Sequence, residues 1–201
     1  NETNVLHRYM TLHADHGFNA STFAARVTAS TTSDMYSAVT SAIGTLKGPL
    51  HGGASEKVME MLDDINLEEE VEEYINGLLD DQKKIMGFGH RVYRAQDPRT
   101  KHLRDMVEDL SHRDRTLGLY RKCVKIEETV YGRKKIYPNV DFYAAVAMDA
   151  LGVPKEFFTS FFAASRISGW VAHVIEQYED AVLLRPASKY VGEFNRSFVS
   201  I

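Results

Sequence analysis

Asp34-Met35-Tyr36-Ser37-Ala38-Val39-Thr40-Ser41-Ala42-Ile43-Gly44-Thr45-Leu46-Lys47-Gly48-Pro49 reads as one helix with both ends marked. Met35, Val39, Ala42, Ile43 and Leu46 recur at helical spacing and share one face. Asp34 is a capping residue type directly ahead of the run, and Gly48-Pro49 stops it. The same periodicity returns in Leu103, Met106, Val107 and Leu110, and again in Leu119, Cys123, Ile126 and Val130. Asp97-Pro98 marks a turn or cap before the first of these, and Tyr137-Pro138-Asn139 leads into a further helix. Gly152-Val153-Pro154 separates that helix from a long apolar one over roughly residues 155–179. Residues 63–73 read as an acidic, solvated loop and helix start, and residues 131–135 as a loop. Leu183-Leu184 or the tail could pair as short strands, but no alternating run demands a sheet. The chain is predicted to be mostly α.

A chain of 201 residues, 44% hydrophobic, can bury a substantial core in one large domain or two small ones. Its net charge of −4 gives no electrostatic footprint for nucleic acid. Cys123 is the only cysteine, so no intramolecular disulfide forms and a reducing, cytoplasmic compartment is expected. No apolar run reaches membrane-spanning length and no secretory signal is visible, so no membrane partner is expected. The chain opens at Asn1 with no obvious domain start, and reads as a processed or truncated piece of something longer.

Chemistry concentrates in Met86-Gly87-Phe88-Gly89-His90-Arg91-Val92-Tyr93-Arg94, closing on Asp97-Pro98-Arg99. Glycines let backbone N–H groups approach a ligand. Arginines grip carboxylate or phosphate through paired hydrogen bonds. A histidine among them can move a proton near neutral pH. Such a stretch can hold an anion and act on it, or it can be a glycine turn ahead of a solvated basic helix. It is not a dinucleotide fingerprint, because position 92 is valine and a polar run precedes it.

Four other places carry two readings each. His13-Ala14-Asp15-His16 offers a metal pair, without cysteines or zinc-protease spacing, or histidines packing at a helix end. In Gly48-Pro49-Leu50-His51-Gly52-Gly53 the turn presents His51, either as a neutral donor to a developing oxyanion or as a bystander in a helix stop. Asp141, inside Asn139-Val140-Asp141-Phe142-Tyr143, is a desolvated base or a helix cap. Arg166 interrupts the apolar row Phe158, Phe162, Arg166, Trp170, and is either buried against an anion or snorkelling; Arg185-Pro186 could join it.

Taken in order, these blocks, together with Ser165-Arg166-Ile167-Ser168-Gly169-Trp170, resemble the citrate synthase family from about residue 10 to the C-terminus. Gly-Phe-Gly-His-Arg-Val-Tyr is similar to its prokaryotic form. The resemblance implies an almost wholly helical fold, with a large domain and a small domain that closes over the substrates. Residues 1–53 would be a large-domain part with subunit-contact helices, 54–155 the small domain, and 156–201 the C-terminal large-domain part. The family's N-terminal helices have no counterpart here.

The resemblance also implies roles. His51 would hydrogen-bond the thioester oxygen of acetyl-CoA, Asp141 would remove a methyl proton, and His90 would polarise the ketone of oxaloacetate. His16, Arg99 and Arg166 would bind oxaloacetate, with Arg185 reaching in from the partner of a homodimer. Arg94, with Gly87 and Gly89, would face CoA. Acetyl-CoA is then a substrate, and no separate cofactor or metal is required. The readings in play are citrate synthase, 2-methylcitrate synthase acting on propionyl-CoA, citryl-CoA lyase running the cleavage, an inactive fragment that serves only in assembly, and a metal-dependent hydrolase, which would hold zinc.

Overall fold

The computed structural model describes residues 2–89, 95–112 and 114–198. Among them the regular structure is helical: α1 (Glu2–His13), α2 (Ala20–Ser30), α3 (Met35–Leu46), α4 (Ala54–Asp63), α5 (Val71–Asp80), α6 (Pro98–Leu110), α7 (Asp114–Lys134), α8 (Val140–Ala150) and α9 (Phe158–Asp180), with 3-10 turns before α5 and α9. The helix starts are set by local chemistry. Asn19, Asp34, Asp97 and Asn139 each accept a backbone N–H from the first turn of α2, α3, α6 and α8. Pro98 follows its cap at the first helical position, where a missing N–H costs nothing.

Two sequence expectations are corrected. Residues 131–134 are the last turn of α7, not a loop. Buried Val130 anchors that end, Gly132 meets nothing around it, and the helix stops only at Lys135, whose φ of 55° is left-handed. Leu183 and Leu184 form no strand. After Ala181, with φ 49°, residues 182–198 run without regular structure and mostly exposed, and among the described residues no sheet edge is there to pair with. The sole β-like contact among them is an isolated antiparallel bridge between Phe88 and Pro138.

Apolar side chains sort into two cores. The first joins α1, α4, α5, α6, α7 and α8, with Phe158 from the start of α9. In the second, Ala25 and Ala29 of α2 meet Ala38, Ala42 and Leu46 of α3 and Phe162, Trp170 and Val174 of α9. The alanines allow α2 and α3 to pack closely. A polar lock reinforces the second core: Arg26 of α2 bonds Gln177 Oε1 at 3.0 Å and pairs with Glu176 of α9. Helix α9 thus runs through both cores, and the functional residues gather where they meet.

Candidate active site

A cavity of about 900 Å3 opens at that junction, and His16, His51, Arg99, Asp141 and Arg166 all line it. Gly87 and Gly89 form part of the same wall.

His51 is delivered by the turn that ends α3. Its N–H donates to the Gly48 carbonyl at 2.9 Å, and Gly53 N–H reaches the same oxygen at 3.3 Å. A Cβ at Gly52 would come within 2.6 Å of the Leu46 side chain, so the turn closes only with glycine there. The imidazole docks on the start of α2: Nε2 accepts the Ser21 N–H at 3.3 Å and lies 2.9 Å from Ser21 Oγ. Ser21 Oγ is itself held by Asn19 Oδ1 and by the Trp170 indole N–H. Burial, and then the nearby Arg166 charge, push the imidazole down to about 4. His51 is therefore neutral at pH 7, and taking the Ser21 backbone N–H as the donor to Nε2 puts the ring proton on Nδ1.

Asp141 sits in the first turn of α8. The cap of that helix is Asn139, whose Oδ1 takes the Asp141 N–H at 3.0 Å, so capping is not the work of the aspartate. Desolvation raises the carboxyl to about 6 against the lowering effects of a Ser55 hydrogen bond and of Arg99 and Arg166. Asn139 also donates from Nδ2 to the Gly89 carbonyl at 3.0 Å. Gly89 N–H reaches the Tyr137 carbonyl at 2.9 Å, and Asn139 N–H the Gly87 carbonyl at 2.8 Å. Gly87 has φ 77°, and a Cβ there would stand 2.8 Å from Phe142. The glycine pair is thereby clipped to the head of the Asp141 helix.

Two arginines form the cationic wall, and His16 stands against one of them. Arg99 is forked onto Asp97, with Nε to Oδ1 at 3.0 Å and Nη2 to Oδ2 at 2.7 Å, and Nη2 lies 3.4 Å from His16 Nε2. Arg166 is 1% exposed, so the snorkelling reading fails. Its Nε donates to the His13 carbonyl at 2.6 Å, and Cζ lies 4.9 Å from the centre of the Phe162 ring. No carboxylate among the described residues forms an ion pair with it. Burial, then the like charge of Arg99, lower it to about 10. A buried guanidinium facing a cavity in this way has room for an anionic ligand. His13, by contrast, packs: it stacks on Tyr9 at 4.0 Å, and its Nδ1 donates to the Tyr9 carbonyl at 2.9 Å.

His90 and Arg94 lie outside the described residues. Arg185 is exposed on the tail and is absent from this chain's cavity wall. Ser21, Ser55 and the second role of Asn139 escaped the sequence reading. Serines and an asparagine near helix starts look like caps, and nothing in their spacing points to residues far away in sequence. Asn139, quoted in a motif with Asp141, was the one available signal.

The profile of the citrate synthase C-terminal domain matches residues 1–187. The chain is 49% identical over 200 residues to citrate synthase 2 of Bacillus subtilis, covering all of this chain and 54% of that protein. It is 44% identical over 199 residues to a 2-methylcitrate synthase of Shewanella oneidensis, covering 99% of this chain and 53% of that one. It superimposes on citrate synthase from the archaeon Thermoplasma acidophilum, solved in ternary complex with carboxymethyl coenzyme A and oxaloacetate. That match has a TM-score of 0.92 at 39% identity and covers all of this chain and 55% of that one. The chain therefore belongs to the citrate synthase family. It spans about half the length of the curated relatives it matches.

Proposed function

We propose that this chain is the C-terminal portion of a citrate synthase, which condenses acetyl-CoA with oxaloacetate and hydrolyses the citryl-CoA formed. The observation that carries the reading is that neutral His51 and the raised carboxyl of Asp141 face one cavity. An acetyl thioester is a weak carbon acid, so removing its methyl proton requires a base and a donor to the developing oxyanion together.

Asp141 takes the methyl proton while the His51 Nδ1–H donates to the thioester oxygen. The resulting enol carbon attacks the ketone carbon of oxaloacetate. The family resemblance gives the polarisation of that ketone to His90. Water then cleaves the thioester, releasing citrate and the CoA thiol. His16, Arg99 and Arg166 hold the oxaloacetate carboxylates, and Arg185 joins them from the partner of a homodimer. Gly87, Gly89 and Arg94 face CoA. No cofactor beyond the acetyl-CoA substrate enters the scheme, and a cytoplasmic location is part of the same proposal. Residues 54–155 correspond to a small domain set between two large-domain parts, 1–53 and 156–201.

Oxaloacetate-dependent release of CoA thiol from acetyl-CoA by the complete protein tests the reading. Its absence from a folded, complete protein would favour a role in assembly alone. The identity to a 2-methylcitrate synthase favours propionyl-CoA as a second candidate, and the ratio of kcat/KM for the two thioesters decides between them.

A further inference from the structure

Ser55 is the second residue of α4 and is 2% exposed. Its hydroxyl donates to Asp141 Oδ1 at 3.0 Å. Ala54 and Asp141 line the cavity, whereas Ser55 stands behind them. The hydroxyl therefore reaches the carboxylate from the protein side and does not meet a ligand. A buried hydroxyl needs a partner, and among the described residues Asp141 is the recorded one.

We infer that Ser55 is the positioning residue of the Asp141 base: by tying Oδ1 it turns Oδ2 toward the methyl group that loses its proton. The inference rests on the citrate synthase reading above. Two physical effects support it. The terminal torsion of an aspartate is broad and shallow, so an untethered carboxylate samples orientations that cannot take a proton from a fixed carbon. A hydrogen bond to the carboxylate also favours the ionised form, opposing the desolvation that favours the protonated one. After transfer the new proton sits on Oδ2, and the Ser55 hydroxyl still donates to Oδ1. The same bond therefore serves both states of the cycle.

The test is the pH dependence of kcat/KM for acetyl-CoA, at saturating oxaloacetate, in the complete protein and its variants. Ser55→Ala removes the donor. Its acid limb should move to higher pH by about one unit, and kcat at pH 7 should fall about tenfold, the effect of losing one hydrogen bond to a charged group. The KM for oxaloacetate should stay within about twofold of wild type, because the cationic wall is untouched. Ser55→Cys keeps the shape with a weaker donor and should shift the limb in the same direction by less; it decides the matter alone if the alanine variant does not fold. A limb that does not move in whichever variant folds overturns the inference, even if activity is lost, since that pattern marks a purely structural serine. A wild-type protein that releases no thiol would instead overturn the citrate synthase reading beneath it.

Discussion

The backbone N–H of Gly169 donates to the carbonyl of Ala14 at 3.1 Å, so helix α9 touches the loop carrying His16 backbone to backbone. Neighbouring turns of α9 reinforce the contact. Arg166 Nε bonds the His13 carbonyl at 2.6 Å, and His173 Nε2 lies 3.1 Å from Asp15 Oδ1. Asp15 Oδ2 in turn accepts the Gly17 N–H at 3.0 Å. A methyl group on Gly169 would collide with the Ala14 oxygen. Glycine to alanine inside a helix ordinarily gains about 1 kcal/mol. Here overpacking should outweigh that gain, giving Gly169→Ala a net loss of about 1–3 kcal/mol in denaturant unfolding and a higher KM for oxaloacetate. A variant as stable as wild type, with unchanged KM, would refute the tight contact.

Asp141→Asn should trade activity for stability. Asparagine can still accept the Ser55 hydrogen bond but cannot take a proton, so kcat should fall at least about a hundredfold while oxaloacetate affinity holds. The folded carboxyl at about 6 lies above its ordinary 3.8, so ionising it costs the fold free energy as pH rises through that window. At pH 7 the variant should therefore be more stable than wild type, by up to about 3 kcal/mol. Wild-type turnover would exclude Asp141 as the base, and unchanged stability would contradict its desolvation.

Two histidines set the acid limit of the fold. His13 is lowered to about 3 and His51 to about 4, both mainly by burial, from an ordinary 6.5. Stability conferred by a histidine held neutral is complete above 6.5 and is lost as pH falls toward the folded value. Each should cost about 2 kcal/mol at pH 5, with protonation of Asp141 returning about 1 kcal/mol. His13→Asn, which can still donate toward the Tyr9 carbonyl, should remove about 2 kcal/mol from the stability lost between pH 7 and pH 5. Parallel pH profiles of denaturant unfolding for variant and wild type would count against a neutral His13.

Arg166 and Arg185 should divide between subunits. Replacing either with leucine should weaken oxaloacetate binding by about 2–5 kcal/mol, the usual cost of stripping one partner from a buried charged pair. Mixing Arg185→Leu subunits with Asp141→Asn subunits separates the two locations. If Arg185 acts across a two-fold interface, a mixed dimer carries one intact site and activity reappears. If it acts within its own subunit, mixing restores nothing.

Helix positions were legible in the sequence wherever an apolar stripe coincided with a cap or stop. That held for α3, with Asp34 and Gly48-Pro49, and for α6, with Asp97-Pro98. It failed at the end of α7, where Gly132 reads as a breaker, yet buried Val130 just before it outweighs the cost of one helical glycine. The cavity residues were legible because histidine, arginine and aspartate stood in conspicuous company. Ser21 and Ser55 were not. Their importance lies in what folding brings to them, His51 from thirty positions away and Asp141 from eighty-six.

Asn139 uses both ends of one amide, Oδ1 for the first turn of α8 and Nδ2 for the Gly89 carbonyl. That fixes its tolerance to mutation. Aspartate would keep the cap but set a negative oxygen against the glycine carbonyl. Serine would cap but falls short of the second partner, and glutamine is a poor cap. Position 139 should accept no other residue without loosening the joint between the glycine pair and the Asp141 helix, which makes it a sensitive site for scanning mutagenesis.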